Sequence, residues 1–193
     1  AAFRMVGPLY GLAVGLAADR IALFLAAYVL GGAVAQVPVG WLADKFDRRL
    51  VLIWLSVASV AACALTVASV GGGIVAIFLA AGFFGFTTFP IYSVSAAHAH
   101  DFADQLERVE LSASLMFLYA VGAIASPIIA SVLIELFGPA GMFAFIAAAH
   151  IVLVVFGIIR MRARPAPGTR TRYVYVPRTS FLIGRLLRRN NKD

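Results

Sequence analysis

The stretch Gly40 to Leu50, "GWLADKFDRRL", carries five formal charges and separates two uncharged runs. One run extends from Ile21 to Ala43 and the other from Leu50 to His100. A bilayer core about 30 Å thick is crossed by roughly 20 apolar helical residues. Each run is therefore long enough to cross a membrane, and the charged stretch predicts a loop at the membrane surface.

The composition of the whole chain supports a membrane protein. Of its 193 residues, 62% are hydrophobic and 13% are charged, which is more apolar than a soluble domain requires. Gly71-Gly72-Gly73 divides the long second run, because consecutive glycines disfavour a continuous helix. The prediction is an all-α polytopic transmembrane bundle with five full spans, at about residues 21–43, 50–70, 74–97, 109–136 and 141–160.

The first sixteen residues predict a truncated sixth helix. Their apolar part, Met5 to Leu16, is too short to cross a bilayer and contains Gly7-Pro8. Residue 1 is also not Met, so we interpret the chain as a fragment or as a gene product that lacks its front. A basic segment followed by a cleavage site is missing, which argues against a signal peptide.

The charges predict the orientation. Residues 1–159 carry 6 basic and 8 acidic residues, whereas 160–193 carry 10 basic and 1 acidic. If the "DKFDRR" loop is cytoplasmic, alternate connections and the C-terminus share its side, which then holds 15 of the 16 Lys and Arg residues. The positive-inside rule favours this arrangement.

The basic tail, residues 161–193, is predicted to lie in the cytoplasm and to contain a short amphipathic segment. Leucines and isoleucine at 182, 183, 186 and 187 would take one side and arginines at 185, 188 and 189 the other. This pattern suits anionic lipid headgroups. Charge alone would also allow nucleic-acid binding, but membrane attachment explains the tail without such a partner.

The spacing Gly40-x-x-x-Asp44-Lys45-x-Asp47-Arg48-Arg49 resembles the signature loop of the major facilitator superfamily, G-x-x-x-D-R/K-x-G-R/K-R/K. Five of the six marked positions agree. Asp47 replaces the family's Gly at a tight turn that often needs a left-handed residue, which Asp tolerates.

The resemblance implies a six-helix half of a secondary transporter, working by alternating access with a second half and a small-molecule substrate. The last span runs directly into the tail, so the chain looks like the C-terminal half, and its missing partner would be the N-terminal half. The order of "LGGAVAQVPVGWLADKFDRR" and "GFFGFTTFPIYS" is similar to a bacterial branch related to YcaD. This similarity implies the bacterial inner membrane.

Asp44 is predicted to take part in gating. It lies in the last turn of its helix, where the helix dipole disfavours an anion, so it needs a compensating partner. In the superfamily this Asp faces a neighbouring helix N-terminus and a nearby Arg, which implies Arg108 here. The predicted gating loop comprises Gly40, Asp44, Lys45, Asp47, Arg48, Arg49 and Arg108. An alternative is that the basic residues serve only as topology anchors.

The resemblance assigns the central cavity to the first, second, fourth and fifth helices. Two sets of polar residues there fall at helical spacings, namely Thr88, Tyr92 and Ser95, and Ser112, Tyr119 and Ser126. The predicted substrate-cavity residues are Tyr10, Gln36, Thr88, Tyr92, Tyr119 and Ser126. Alternatively, these groups only bond backbone carbonyls.

Charged residues are missing from the middle of these predicted spans. A proton-coupling carboxylate, if the transporter uses one, is therefore expected in the other half, and an uncharged or apolar substrate is equally compatible. His150 lies in the last span, which the family uses as scaffold, so we interpret it as a packing residue.

The sequence predicts neither an enzyme nor a metal or cofactor site. His98 and His100 point about 200° apart on a helix, which prevents joint chelation. No Ser/His/Asp set, nucleotide loop or zinc-ligand spacing occurs. The remaining alternative to a transporter is a non-transporting membrane scaffold or a half-unit that dimerises.

Overall fold

The computed structural model describes residues 2–104 and 106–163. The regular elements of this part of the chain are six α-helices and one short 3-10 turn, Ser69–Gly71. The helices are α1 Ala2–Ala13, α2 Ala18–Lys45, α3 Arg48–Ala68, α4 Gly73–His100, α5 Arg108–Phe137 and α6 Ala140–Ala163. Most of the predicted tail, including its amphipathic segment, lies outside the described residues.

Five of these helices, α2 to α6, are long and apolar enough to cross a membrane. This finding confirms the all-α, polytopic fold class. Helix α1 has 12 residues and is therefore about 18 Å long, short of a full crossing. Pro38, Pro90 and Pro127 lie inside continuous helices.

The helix connections define two ends of the bundle. The turns after α2 and α4 form one end, which we call the charged end, and the turns after α1, α3 and α5 form the other. Glycines with positive φ lie at the second end: Gly73 (φ 82°) is the first residue of α4, and Gly138 (φ 76°) is the C-cap of α5. Such backbone angles are costly for residues with a Cβ.

Helices α2 and α4 form the most extensive contact of the bundle. Glycines allow their backbones to meet, because a Cβ on Gly31 would overlap the carbonyl of Gly82, and a Cβ on Gly85 would overlap the carbonyl oxygen of Tyr28. Close backbone approach through small residues is the usual means of packing membrane helices. This contact fixes the position of α4, on which much of the candidate site lies.

Aromatic rings fill the centre of the bundle. Their centroids lie 4.4 to 6.0 Å apart in tilted, stacked and edge-to-face pairs, which are favourable arrangements for rings. These buried residues come from α1, α2, α4 and α6: Phe3, Tyr10, Phe24, Tyr28, Phe84 and Phe143.

Helix α5 differs from the rest because Ala130 is its one buried residue within the described structure. Its contacts are with α6, α1 and, more sparsely, α4. Large apolar side chains such as Phe117, Ile124 and Ile128 are exposed. In a bilayer these side chains would face lipid or another protein surface.

Candidate functional site

Arg48 occupies the centre of the charged end. Its side chain is 1% exposed, and its Nη1 donates hydrogen bonds to the Asp101 carboxylate at 2.7 Å and to the Ala97 carbonyl at 2.8 Å. Its Nη2 lies 3.5 Å from the Asp44 carboxylate. One guanidinium thus connects the end of α2, the start of α3 and the end of α4.

This geometry differs from the predicted pairing of Asp44 with Arg108. Arg48, four residues after Asp44 across the α2–α3 turn, is its ion-pair partner, whereas Arg108 is exposed at the start of α5. The sequence reasoning missed Asp101, whose side chain is 2% exposed. The available signal was an acidic residue directly after an apolar span, opposite a loop with three basic residues.

Asp47, which replaces the glycine of the family pattern, does not adopt a left-handed conformation. Its backbone is extended (φ −61°, ψ 121°) rather than left-handed, and it is the N-cap of α3. Its carboxylate accepts a hydrogen bond from the Arg49 backbone N–H at 3.0 Å and pairs with the Arg49 guanidinium at 2.8 Å. Asp is a preferred N-cap residue, so the turn does not need a glycine. We call Asp44, Asp47, Arg48, Arg49 and Asp101 the charge cluster.

The two other residues of the predicted gating loop flank this cluster. Gly40 is buried, and Lys45 is exposed with its Nζ 4.8 Å from the centroid of the Trp41 ring. A cation over a tryptophan face is a favourable pair, and both side chains are of the types that lie at membrane interfaces.

The histidines near the charged end have separate neighbours. The His98 ring packs edge-to-face on Phe102, and His100 Nε2 lies 3.3 Å from the Ser112 hydroxyl on α5. Residues 2–104 and 106–163 contain no group of three His, Cys, Asp or Glu side chains placed to hold a metal ion.

A pocket of about 520 Å³ opens between α1, α2, α4, α5 and α6. Its walls include the rings of Phe3, Tyr28, Phe84, Phe89 and Phe145. Besides Tyr28, its polar residues are Thr88, Tyr92, Ser95, Tyr119, Ser126 and His150. We call it the aromatic pocket. Its volume lies in the range of small-molecule sites, which combine mostly apolar walls with a few polar groups.

The structure brings four of the six predicted cavity residues to this pocket. Thr88, Tyr92 and Ser95 share one face of α4, as their spacing predicted, and the ring of Tyr92 meets that of Tyr119 at 5.2 Å. Ser126 lies two turns after Tyr119 on α5. The side chains of α4 and α5 therefore converge although these helices make few direct contacts.

Tyr10 and Gln36 lie elsewhere. Tyr10 is buried in the aromatic core and donates a hydrogen bond to the Thr66 carbonyl at 3.3 Å. Gln36 Nε2 lies 3.4 Å from the Gly32 carbonyl of its own helix. Both hydrogen bonds are those of the alternative interpretation, in which these polar side chains bond backbone carbonyls.

His150 is the pocket residue that the sequence reasoning assigned to packing. Its Nδ1 lies 2.8 Å from the Ile146 carbonyl, and because a carbonyl only accepts, Nδ1 carries the proton. The apolar surroundings favour the neutral ring, in which Nε2 is an acceptor. The available signal was a lone ionisable residue near the middle of an apolar span.

A second cavity, of about 500 Å³, lies beside the charge cluster and is apolar. It is lined by residues of α2, α3 and α4, including Leu42, Trp54 and Phe86. Thr87 is its hydroxyl-bearing residue, and that hydroxyl bonds the Phe84 carbonyl at 3.1 Å. The aromatic pocket is thus the better candidate for a solute with polar groups.

Membrane-crossing helices that surround a pocket with polar groups define a polytopic helical membrane protein with a candidate solute site. The chain belongs to the Major Facilitator Superfamily, whose family profile matches residues 1–191. It is 28% identical over 170 residues to the uncharacterized MFS-type transporter YcaD of Salmonella typhi, and equally to those of Salmonella newport and Salmonella heidelberg. Each match covers 84% of this chain and 43% of the relative, so the chain spans less than half the length of these proteins. Family membership points to a transporter rather than an enzyme.

Proposed function

We propose that this chain is the C-terminal six-helix half of a secondary active transporter, which moves a small solute across the bacterial inner membrane by alternating access. The observation that carries this proposal is the aromatic pocket, where polar side chains of α4, α5 and α6 converge inside an otherwise apolar bundle. Solute sites of secondary transporters lie near the bilayer midplane between helices.

The charge cluster supports a gate at the charged end, which we assign to the cytoplasmic side because the positive-inside rule favours that orientation. Arg48 bonds groups on α4 and lies beside Asp44 on α2. An opening that separates α2 from α4 at this end would have to move or break these bonds. The cluster therefore acts as a latch that favours a closed cytoplasmic end.

Two-sided accessibility of the pocket tests the proposal without knowledge of the substrate. Ala149 lines the pocket near the middle of α6, and Cys63 is the single native cysteine. We would introduce Ala149→Cys into the full gene product after replacing Cys63, and every cysteine outside this sequence, by Ala. Right-side-out and inside-out vesicles would then be treated with the membrane-impermeant cation MTSET.

Alternating access predicts that Ala149→Cys is modified from both sides. Modification from one side, or from neither, would instead favour the non-transporting scaffold. The matched control is Val152→Cys, since Val152 lies on the same helix, is 68% exposed and is outside the pocket lining. A thiol there would face lipid and react slowly from either side.

A further inference from the structure

The hydroxyl groups of the aromatic pocket differ in whether they have a hydrogen-bond partner within the protein. The Thr88 hydroxyl donates a hydrogen bond to the Phe84 carbonyl at 2.7 Å. The Ser126 hydroxyl is buried and has no hydrogen-bond partner among the described residues. Unpaired buried hydroxyls are uncommon and call for an explanation. A ligand in the pocket would supply the missing partner.

His150 adds a second group with unused capacity. Its Nδ1 donates its proton to the Ile146 carbonyl, and the apolar surroundings favour the neutral ring, whose Nε2 is an acceptor. A ligand that meets this atom must therefore present an O–H or N–H group. Ser126 can donate or accept and places no further restriction.

The charge of the ligand follows from the lining. Among the described residues that form the pocket, none is Asp, Glu, Lys or Arg. An ionic ligand would move from water into a site that offers no opposite charge, and this transfer is strongly unfavourable in apolar surroundings. The pocket walls formed by this chain therefore give no counter-charge to a carboxylate or an ammonium ion, and an uncharged ligand fits them best.

The shape of the ligand follows from the walls. The rings of Phe89, Tyr92, Tyr119 and Phe145 line the pocket, and Tyr92 and Tyr119 meet edge-to-face across the gap between α4 and α5. Flat aromatic ligands pack well against such rings. The volume of about 520 Å³ accommodates a solute with one fused or two single rings.

We propose that the aromatic pocket binds an uncharged aromatic solute bearing a hydroxyl or N–H donor, recognised by His150 Nε2 and the Ser126 hydroxyl. His150 is then a specificity-determining residue. This inference rests on the proposed function, of which it names the substrate class.

Tryptophol serves as the probe, since it is uncharged and combines an indole ring with a hydroxyl group. The full gene product in nanodiscs would be titrated with tritiated tryptophol, with empty nanodiscs as the blank. Unlabelled tryptamine and indole-3-acetate share the ring but carry opposite charges. We expect saturable tryptophol binding, with both charged analogues competing at least about tenfold more weakly. Absence of saturable binding, or equal competition by either charged analogue, would overturn the proposal.

The role of His150 is tested by selectivity rather than by affinity alone. The analogue 3-ethyl-1-methylindole lacks both donors and should bind wild type about tenfold more weakly than tryptophol. His150→Phe should reduce this difference, and His150→Gln, which retains an acceptor, should reduce it less. Val152→Phe controls for a bulky ring on the same helix. An unchanged difference in His150→Phe would eliminate His150 as the recognition group.

The two proposals fail separately. Two-sided modification of Ala149→Cys without selective tryptophol binding would support the proposed transporter and contradict the proposed substrate class. Selective binding with modification from one side would instead indicate a ligand-binding membrane protein that does not transport.

Discussion

The central cation of the charge cluster and the Ser126 hydroxyl of the aromatic pocket differ in the bonds that they make. In the cluster, the buried Arg48 side chain bonds a carboxylate and a backbone carbonyl within 2.8 Å. In the pocket, the buried Ser126 hydroxyl has no partner among the described residues. Bonds already made stabilise the fold, whereas unused bonding capacity is available to a ligand. The difference predicts that substitutions in the cluster reduce stability and substitutions in the pocket reduce binding.

The largest expected effect comes from Asp101→Ala. Removing this carboxylate leaves the buried Arg48 guanidinium without its closest counter-charge, a change that costs about 3–5 kcal/mol in comparable buried pairs. Thermal and detergent unfolding of the purified protein would measure the loss. Asp104→Ala is the control, because Asp104 is exposed in the same turn. Equal stability of the two variants would show that the pair contributes nothing.

A loss of about 1–3 kcal/mol is expected for Gly85→Ala, which forces a Cβ against the Tyr28 carbonyl and displaces the pocket wall on α4. Gly122→Ala makes the same chemical change on α5, where nothing described lies within 4 Å of the added atom. Both variants gain the same helix propensity, so the difference between their unfolding free energies isolates the clash. A difference near zero would contradict the close α2–α4 contact.

Asp47 tests whether the cluster also caps a helix. Asp47→Ala should lose about 1 kcal/mol of unfolding free energy, since Ala cannot accept the Arg49 N–H bond. Asp47→Gly, which restores the residue of the family pattern, should lose only a few tenths. If the glycine variant were the less stable of the two, the N-cap assignment would be wrong.

The smallest effect on stability belongs to Ser126→Ala. Since the hydroxyl has no partner to lose, its removal should change the unfolding free energy by less than about 0.5 kcal/mol. Tryptophol affinity should nevertheless fall. A large loss of stability would show that Ser126 holds the fold together.

The sequence was sufficient for the fold because the determining patterns are local. Apolar length, glycine breaks and the charged loop are properties of contiguous residues. The spacing of Thr88, Tyr92 and Ser95 likewise predicted a shared helix face. The meeting of this face with Tyr119, Ser126 and His150 depends on how α4, α5 and α6 pack, which no local pattern encodes.

The partner of Asp44 and the role of Asp101 were missed for different reasons. The family resemblance pointed to Arg108, whereas Arg48, only four residues after Asp44, is the ion-pair partner. Asp101 reaches the same guanidinium through the packing of α4 against α2 and α3, which spacing along the chain does not encode. Asp47 shows the converse, because its N-cap role depends only on its own turn and was open to prediction from the residue type.

The most direct test of the account is whether loosening the charge cluster opens the aromatic pocket. Asp44 is 37% exposed, so Asp44→Asn should cost at most about 1 kcal/mol of stability while weakening the latch. We predict that MTSET modifies Ala149→Cys several-fold faster from the cytoplasmic side in this variant, with Val152→Cys unchanged. An unchanged rate at Ala149→Cys would contradict a gate formed by the cluster.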